Sequence, residues 1–126
     1  MTAALTPTLA LAYLSELSAD IRAAVVLDAA GEVLAVKGGD ASPALVAAAR
    51  ALLAEAPVVR ALTERGGAFG ARDELHGVAV ATGPLALPGL AIHDVLGVLT
   101  ALGGTPPHAL VSNASPVAVR ALLDAL

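Results

Sequence analysis

Ile21-Arg22-Ala23-Ala24-Val25-Val26-Leu27-Asp28, then Ala29-Ala30-Gly31-Glu32 and Val33-Leu34-Ala35-Val36-Lys37, is the stretch on which the fold turns. Its first segment, Ile21 to Asp28, reads as a strand with β-branched residues in its middle. By the period of two, Ile21, Ala23, Val25 and Leu27 line one face, while Ala24 and Val26 keep the other apolar between Arg22 and Asp28. A strand apolar on both faces is covered on both, which places it near the middle of a sheet. Asp28-Ala29-Ala30-Gly31 is a short turn with glycine where a positive φ is needed, and Glu32 to Lys37 returns as the second strand. The stretch predicts a β-hairpin.

Upstream, Thr6 can cap a helix, Pro7 suits its first position, and Ala10, Tyr13, Leu14 and Leu17 recur at helical spacing. Ser18-Ala19-Asp20 stops it. Downstream, Gly38-Gly39-Asp40 leads into a second helix that opens at Ser42-Pro43 and is predicted to run from Pro43 to Arg65. Leu45, Ala49, Leu52 and Ala56 form its apolar stripe, with Leu53 beside it. Pro57 lies inside this span, where a proline removes a hydrogen bond and clashes with the preceding turn. Either the helix kinks there or a new turn starts through Val58, Val59 and Leu62. Arg60 and Glu64 then share the solvent side, and Gly66-Gly67 ends the unit.

Beyond it, Ala68 to Arg72 and Gly77 to Thr82 read as two strands joined through Asp73-Glu74-Leu75, and Gly83 to Gly89 as a loop or irregular edge. Asp94 to Leu102 has helical spacing with Asp94 as cap, although so continuous an apolar run also fits a buried strand. Helix is the preferred reading. Ala109 to Val111 is expected as a short strand, and Ser115-Pro116 opens a final helix with Val119, Leu122, Leu123 and Leu126 on one face.

The chain of 126 residues is expected to form one domain, 1–126. Hydrophobic residues are 57% and charged residues 14% of it, against about 45–50% and about 25% in an ordinary globular protein. That bias excludes disorder. Aromatic residues are 2%, so Ala, Val and Leu must build the core and elements can approach closely. A net charge of -4 argues against a nucleic-acid footprint. The mean hydropathy of +0.81 raises the question of a membrane. Yet a spanning helix wants about 20 consecutive apolar residues. The uncharged runs are cut at Gly83-Pro84, Pro88-Gly89, Gly103-Gly104-Thr105-Pro106-Pro107 and Ser112-Asn113-Ala114-Ser115-Pro116. Met1 to Ser15 has no basic region and does not read as a signal peptide. A soluble, cytoplasmic protein is expected, with no membrane insertion.

Reactive chemistry is sparse. His76, His93 and His108 do not form a zinc-ligand spacing, and there is no cysteine to help them. His93-Asp94 with Ser112 or Ser115 suggests a hydrolase triad by residue type only, because no serine sits in a Gly-x-Ser-x-Gly elbow. Gly66-Gly67-Ala68-Phe69-Gly70 matches a phosphate loop only in glycine content, since Ala71-Arg72 follows where Lys-Ser/Thr is required. Arg72-Asp73-Glu74 reads as a solvated turn. No catalytic, cofactor-binding or metal-ligating residue is assigned, and no enzyme is expected. The second helix is another matter. Nearly two-sided in its apolar character, it can be buried within one copy or pack against a second; the second is preferred, through Leu45, Ala49, Leu52, Leu53 and Ala56. Phe69 joins them from an exposed strand, Ala68 to Arg72, that pairs edge to edge with its symmetry mate.

The first half resembles the roadblock family, the dynein light-chain and bacterial GTPase-regulator group. The likeness is carried by Leu14-Ser15-Glu16-Leu17, the Ile21 to Asp28 strand, Ala29-Ala30-Gly31-Glu32-Val33-Leu34-Ala35, and the Ala-rich helix after it, over roughly residues 5–82. Profilin-like and longin-like folds share such hairpin-plus-helix units. The resemblance implies an α+β domain with an antiparallel, about five-stranded sheet flanked by helices. It also implies homodimers through the second helix and third strand, and a non-catalytic role: regulating a Ras-like small GTPase or serving as a scaffold. Gly83 to Pro107 departs from the pattern and is long enough to insert a helix. A small-molecule-sensing domain with an apolar pocket is the alternative reading, and an enzyme of unknown type the third.

Overall fold

The computed structural model describes residues 4–17, 20–38 and 42–126. The expected stop at Ser18-Ala19, the Gly39-Asp40 approach to the second helix and the side chain of Leu17 lie outside the described residues. In chain order the elements are α1 (Pro7–Leu17), β1 (Ile21–Asp28), β2 (Val33–Lys37), α2 (Pro43–Glu55), β3 (Val58–Leu62), β4 (Gly67–Arg72), β5 (His76–Thr82), α3 (Pro88–Ala101), β6 (Ser112–Asn113) and α4 (Pro116–Asp124). One six-stranded sheet runs β2-β1-β5-β4-β3-β6. Its pairs are antiparallel apart from β3 and β6, which run parallel. The class is therefore the expected α+β, with one strand more than the expected five.

The hairpin forms as its residues dictate. Asp28 Oδ1 accepts the amides of Ala30 and Glu32 at 2.9 Å each, and Gly31 takes φ 84°. β1 lies between β2 and β5, so both of its edges are paired, and helices cover both of its faces. On one face Ala23, Val25 and Leu27 join α2, α4 and Val59 in a first core. On the other, Ala24 and Val26 join α1, α3, Phe69, Val78 and Val80 in a second. Ile21 departs from the expected alternation. The register against β5 slips between Ile21 and Ala23, a bulge that turns Ile21 to the face of the second core. On α1, Ala10, Leu11 and Leu14 are buried while Tyr13, expected on the inner stripe, is half exposed.

The largest correction concerns Pro57. The second helix ends at Glu55 instead of Arg65, and neither a kink nor a new helical turn follows. Pro57 forces Ala56 into extended geometry, φ -165° and ψ 162°, and the β-branched Val58-Val59 continue as a strand. Arg60 and Glu64 therefore never share a helix face. Gly66, expected to end a helix, sits in the β3–β4 turn, where Thr63 and Gly66 exchange backbone hydrogen bonds at 2.8 and 3.2 Å.

The insertion of β3 moves β4 inward. Ala68 to Arg72, expected at an exposed edge, lies between β5 and β3 and is buried along most of its length. α3 also starts earlier than expected, with Pro88 at its first position, so Asp94 sits mid-helix and caps nothing. The short strand is Ser112–Asn113, not Ala109 to Val111, because only there does the chain reach β3. Leu126, expected on the inner face of the last helix, lies past its end and is half exposed.

Candidate interaction surface

α2 opens with Ser42, whose hydroxyl accepts the amide of Leu45 at 3.1 Å, and with Pro43 in the first turn. Leu45, Ala49, Leu52 and Leu53, four of the six residues expected at a self-interface, are buried against the sheet of the same copy. Ala56 packs at the margin of that core. Leu53 approaches the sheet so closely that a Cβ on Gly77 would stand 2.8 Å from its Cδ1. Phe69 is wholly buried too, but on the opposite face of the sheet, among α3 and α1 residues. The structure thus brings five of the six together and separates the sixth by the thickness of the sheet. Outward, α2 presents Ala44, Ala47, Ala51 and Ala54 with Arg50 and Glu55.

The C-terminal half of α2 is tied to two neighbouring segments. Arg50 Nε donates to the carbonyl of Gly31 at 2.6 Å, and Arg72 Nε donates to that of Leu53 at 2.7 Å, satisfying a carbonyl in the last helical turn. Between these contacts lies an open cleft of about 390 Å³ lined by the Asp28–Gly31 turn, Arg50, Leu53, Arg72, Asp73 and His76. Asp73 Oδ1 accepts the amides of Leu75 and His76 at 2.8 Å, so Arg72-Asp73-Glu74 is a turn held by its own carboxylate.

The other side of α2 meets the end of the chain. β3 has β4 on one edge, and on the other β6 pairs with only Val59 and Arg60. The Ala114 amide adds a bond of 2.8 Å to the Arg60 carbonyl. Glu55 then receives both the Ser115 amide, at 2.8 Å, and the Ser115 hydroxyl, at 2.6 Å. The same Ser115 oxygen accepts the Ala118 amide at 3.2 Å and so caps α4. The hydrogen bond from the Ser115 hydroxyl, then that from its amide, holds the Glu55 carboxyl below its ordinary range. At the far end Arg65 and Asp124 pair at 2.7 Å in solvent. Between these polar ends Ala118, Val119, Leu122 and Leu123 pack into the first core. The Glu55–Ser115 link went unread in the sequence, since its partners lie sixty positions apart.

Ser115 is engaged with Glu55, whereas His93 lies against its neighbour Asp94 at 3.4 Å, so no triad is assembled from them. Among the described residues no three His, Asp or Glu side chains gather as a metal site would require. No helix among them is long and apolar enough to cross a membrane.

No protein-family model matches this sequence, and no curated protein matches it. Solved structures do. The chain is similar to a Roadblock/LC7 domain from Streptomyces avermitilis, with a TM-score of 0.66 and 16% sequence identity over 80% of this chain and 96% of that one. The chain therefore has the Roadblock/LC7 fold, and carries a fifth of its length beyond the match.

Proposed function

We propose that this protein is a non-catalytic regulatory or scaffold module that works by holding other proteins, in a cytoplasmic setting. Its partners are a second copy of itself, met on the α2–β3 side, and a Ras-like small GTPase. The observation that carries the reading is the fold, with the sheet order β2-β1-β5-β4-β3 between helices and its likeness to a Roadblock/LC7 domain. The side chemistry agrees. The polar atoms around α2 serve to cap helices and close turns, as Glu55, Arg72 and Asp73 do. The described clefts are open grooves on the surface, while the two apolar cores are filled by packed side chains. The five inward α2 residues hold in place the helix that a second copy meets.

The test is direct titration of the purified chain with purified Ras-like GTPases of its host, each loaded with GDP or with a non-hydrolysable GTP analogue. Saturable binding to one of them, stronger in one nucleotide state, is the expected result. If none binds in either nucleotide state, the GTPase is withdrawn and the scaffold role remains.

A further inference from the structure

An α-helix is about 10 Å across, and strands lie about 4.8 Å apart, so one helix covers roughly two strands of a sheet. α2 alone therefore leaves much of its side of β2-β1-β5-β4-β3 open. Here the opening is closed by the chain's own end: α4 packs against α2 and β4, and β6 sits on the outer edge of β3. An uncovered edge strand beside an uncovered apolar strip is the combination that pairs with a second copy about a twofold axis.

The closure is slight at β6, while α4 buries Ala118, Val119, Leu122 and Leu123 against the first core. β6 contributes two residues, and its lead-in carries Leu110 almost fully exposed and Val111 exposed. A cleft of about 430 Å³ remains between α4 and the β3–β4 turn, lined by Ala61, Thr63, Arg65, Val119 and Leu123. The polar fastenings, Glu55 with Ser115 and Arg65 with Asp124, are both in solvent. Segments with few buried contacts and exposed hydrogen bonds open locally below the global unfolding free energy.

We propose that residues 112–126 are an intramolecular cap, in which β6 and α4 occupy the edge of β3 and the flank of α2 where a second copy docks once the cap has left. The proposal rests on the reading of the α2–β3 side as the self-association surface. While the cap is docked the chain is monomeric. When it leaves, β3 pairs with β3 of the second copy and the apolar strip beside α2 is buried between them.

The test compares the full chain with two full-length variants, Leu122→Asp, which places a charge in the α4–α2 core, and Glu55→Lys, which spares the core and removes the Ser115 contacts. Mass is read by light scattering from micromolar to millimolar concentration, and amide exchange is read at Val119–Leu123 and in β1 and β5. The expected result is a monomeric wild type and dimeric variants, with α4 amides exchanging at least about tenfold faster while β1 and β5 stay protected. A wild type that is dimeric with α4 protected overturns the cap but leaves self-association standing. Variants that stay folded, release α4 and remain monomeric overturn both. A dimer whose α4 is still protected is an exchange of tails between copies and overturns the cap. Should either variant lose protection in β1 and β5, the wild type decides alone. It must be monomeric with α4 amides exchanging faster than those of β1 and β5, and a dimeric wild type, or α4 amides as protected as those of β1 and β5, overturns the proposal.

Discussion

Leu52 carries the disagreement between pattern and packing at the level of one side chain. Its place in an Ala/Leu stripe fits a contact between copies, yet it is wholly buried within one copy. Leu52→Ala is therefore expected to lower the unfolding free energy by about 2–5 kcal/mol, the range for a leucine deleted from a core. Ala51→Glu, on the exposed side of the same helix, should change it by less than about 0.5 kcal/mol. Urea denaturation of the two variants reads the difference, and equal effects would mean that α2 is turned otherwise. At the hairpin, Asp28 accepts two backbone amides from an exposed turn. Asp28→Ala should cost about 1 kcal/mol in the same assay, with the strand pairing intact.

The decisive elements are β3 and the β6–α4 tail. Their contact is sensitive to acid through Glu55. Its carboxyl is held below the ordinary value of 4.5 by the Ser115 hydroxyl and amide. A carboxylate with a lowered folded pKa contributes stability above its unfolded value and loses it as the pH falls through the lowered one. The tail should therefore be held unchanged at neutral pH and loosen only below about 4.5. An NMR titration of the Ser115 amide should show its midpoint below that of an unperturbed glutamate, and Glu55→Gln should abolish the step. A midpoint at the ordinary value would mean that the Glu55–Ser115 link does not persist in solution. The hairpin, the caps at Thr6, Ser42 and Ser115, and the strands flanking Asp73 were all legible beforehand, because each depends on residues a few positions apart. β3 was not. Helical periodicity through Pro43–Ala56 runs on into Val58 and Leu62, and only the preference of Ala56 for extended geometry before Pro57 breaks it.

Across the whole molecule, two apolar cores share a single sheet, with β1, β3, β4 and β5 contributing buried side chains to both. Neither core survives loss of the sheet, so the chain should unfold in one cooperative step. Tyr13, the sole tyrosine and a residue of α1, reports on one side of the sheet by fluorescence, while far-UV circular dichroism reports on all elements. Their urea transitions are expected to coincide, and a separated Tyr13 transition would make α1 an independent unit.

Residue order by itself determined the hairpin, the starts of α1, α2 and α4 at proline and the excess of small aliphatic side chains that a core or a partner must cover. Only the tertiary structure decided that β4 is central rather than an edge, that Phe69 and Leu52 lie on opposite faces of the sheet, and that α4 covers what α2 leaves open. The reason is range. Turns and caps are settled by neighbours along the chain, whereas an apolar face records only that it must be covered. Whether its cover is a segment sixty positions away, as at Glu55 and Ser115, or another molecule is settled by which pairing the folded chain can reach.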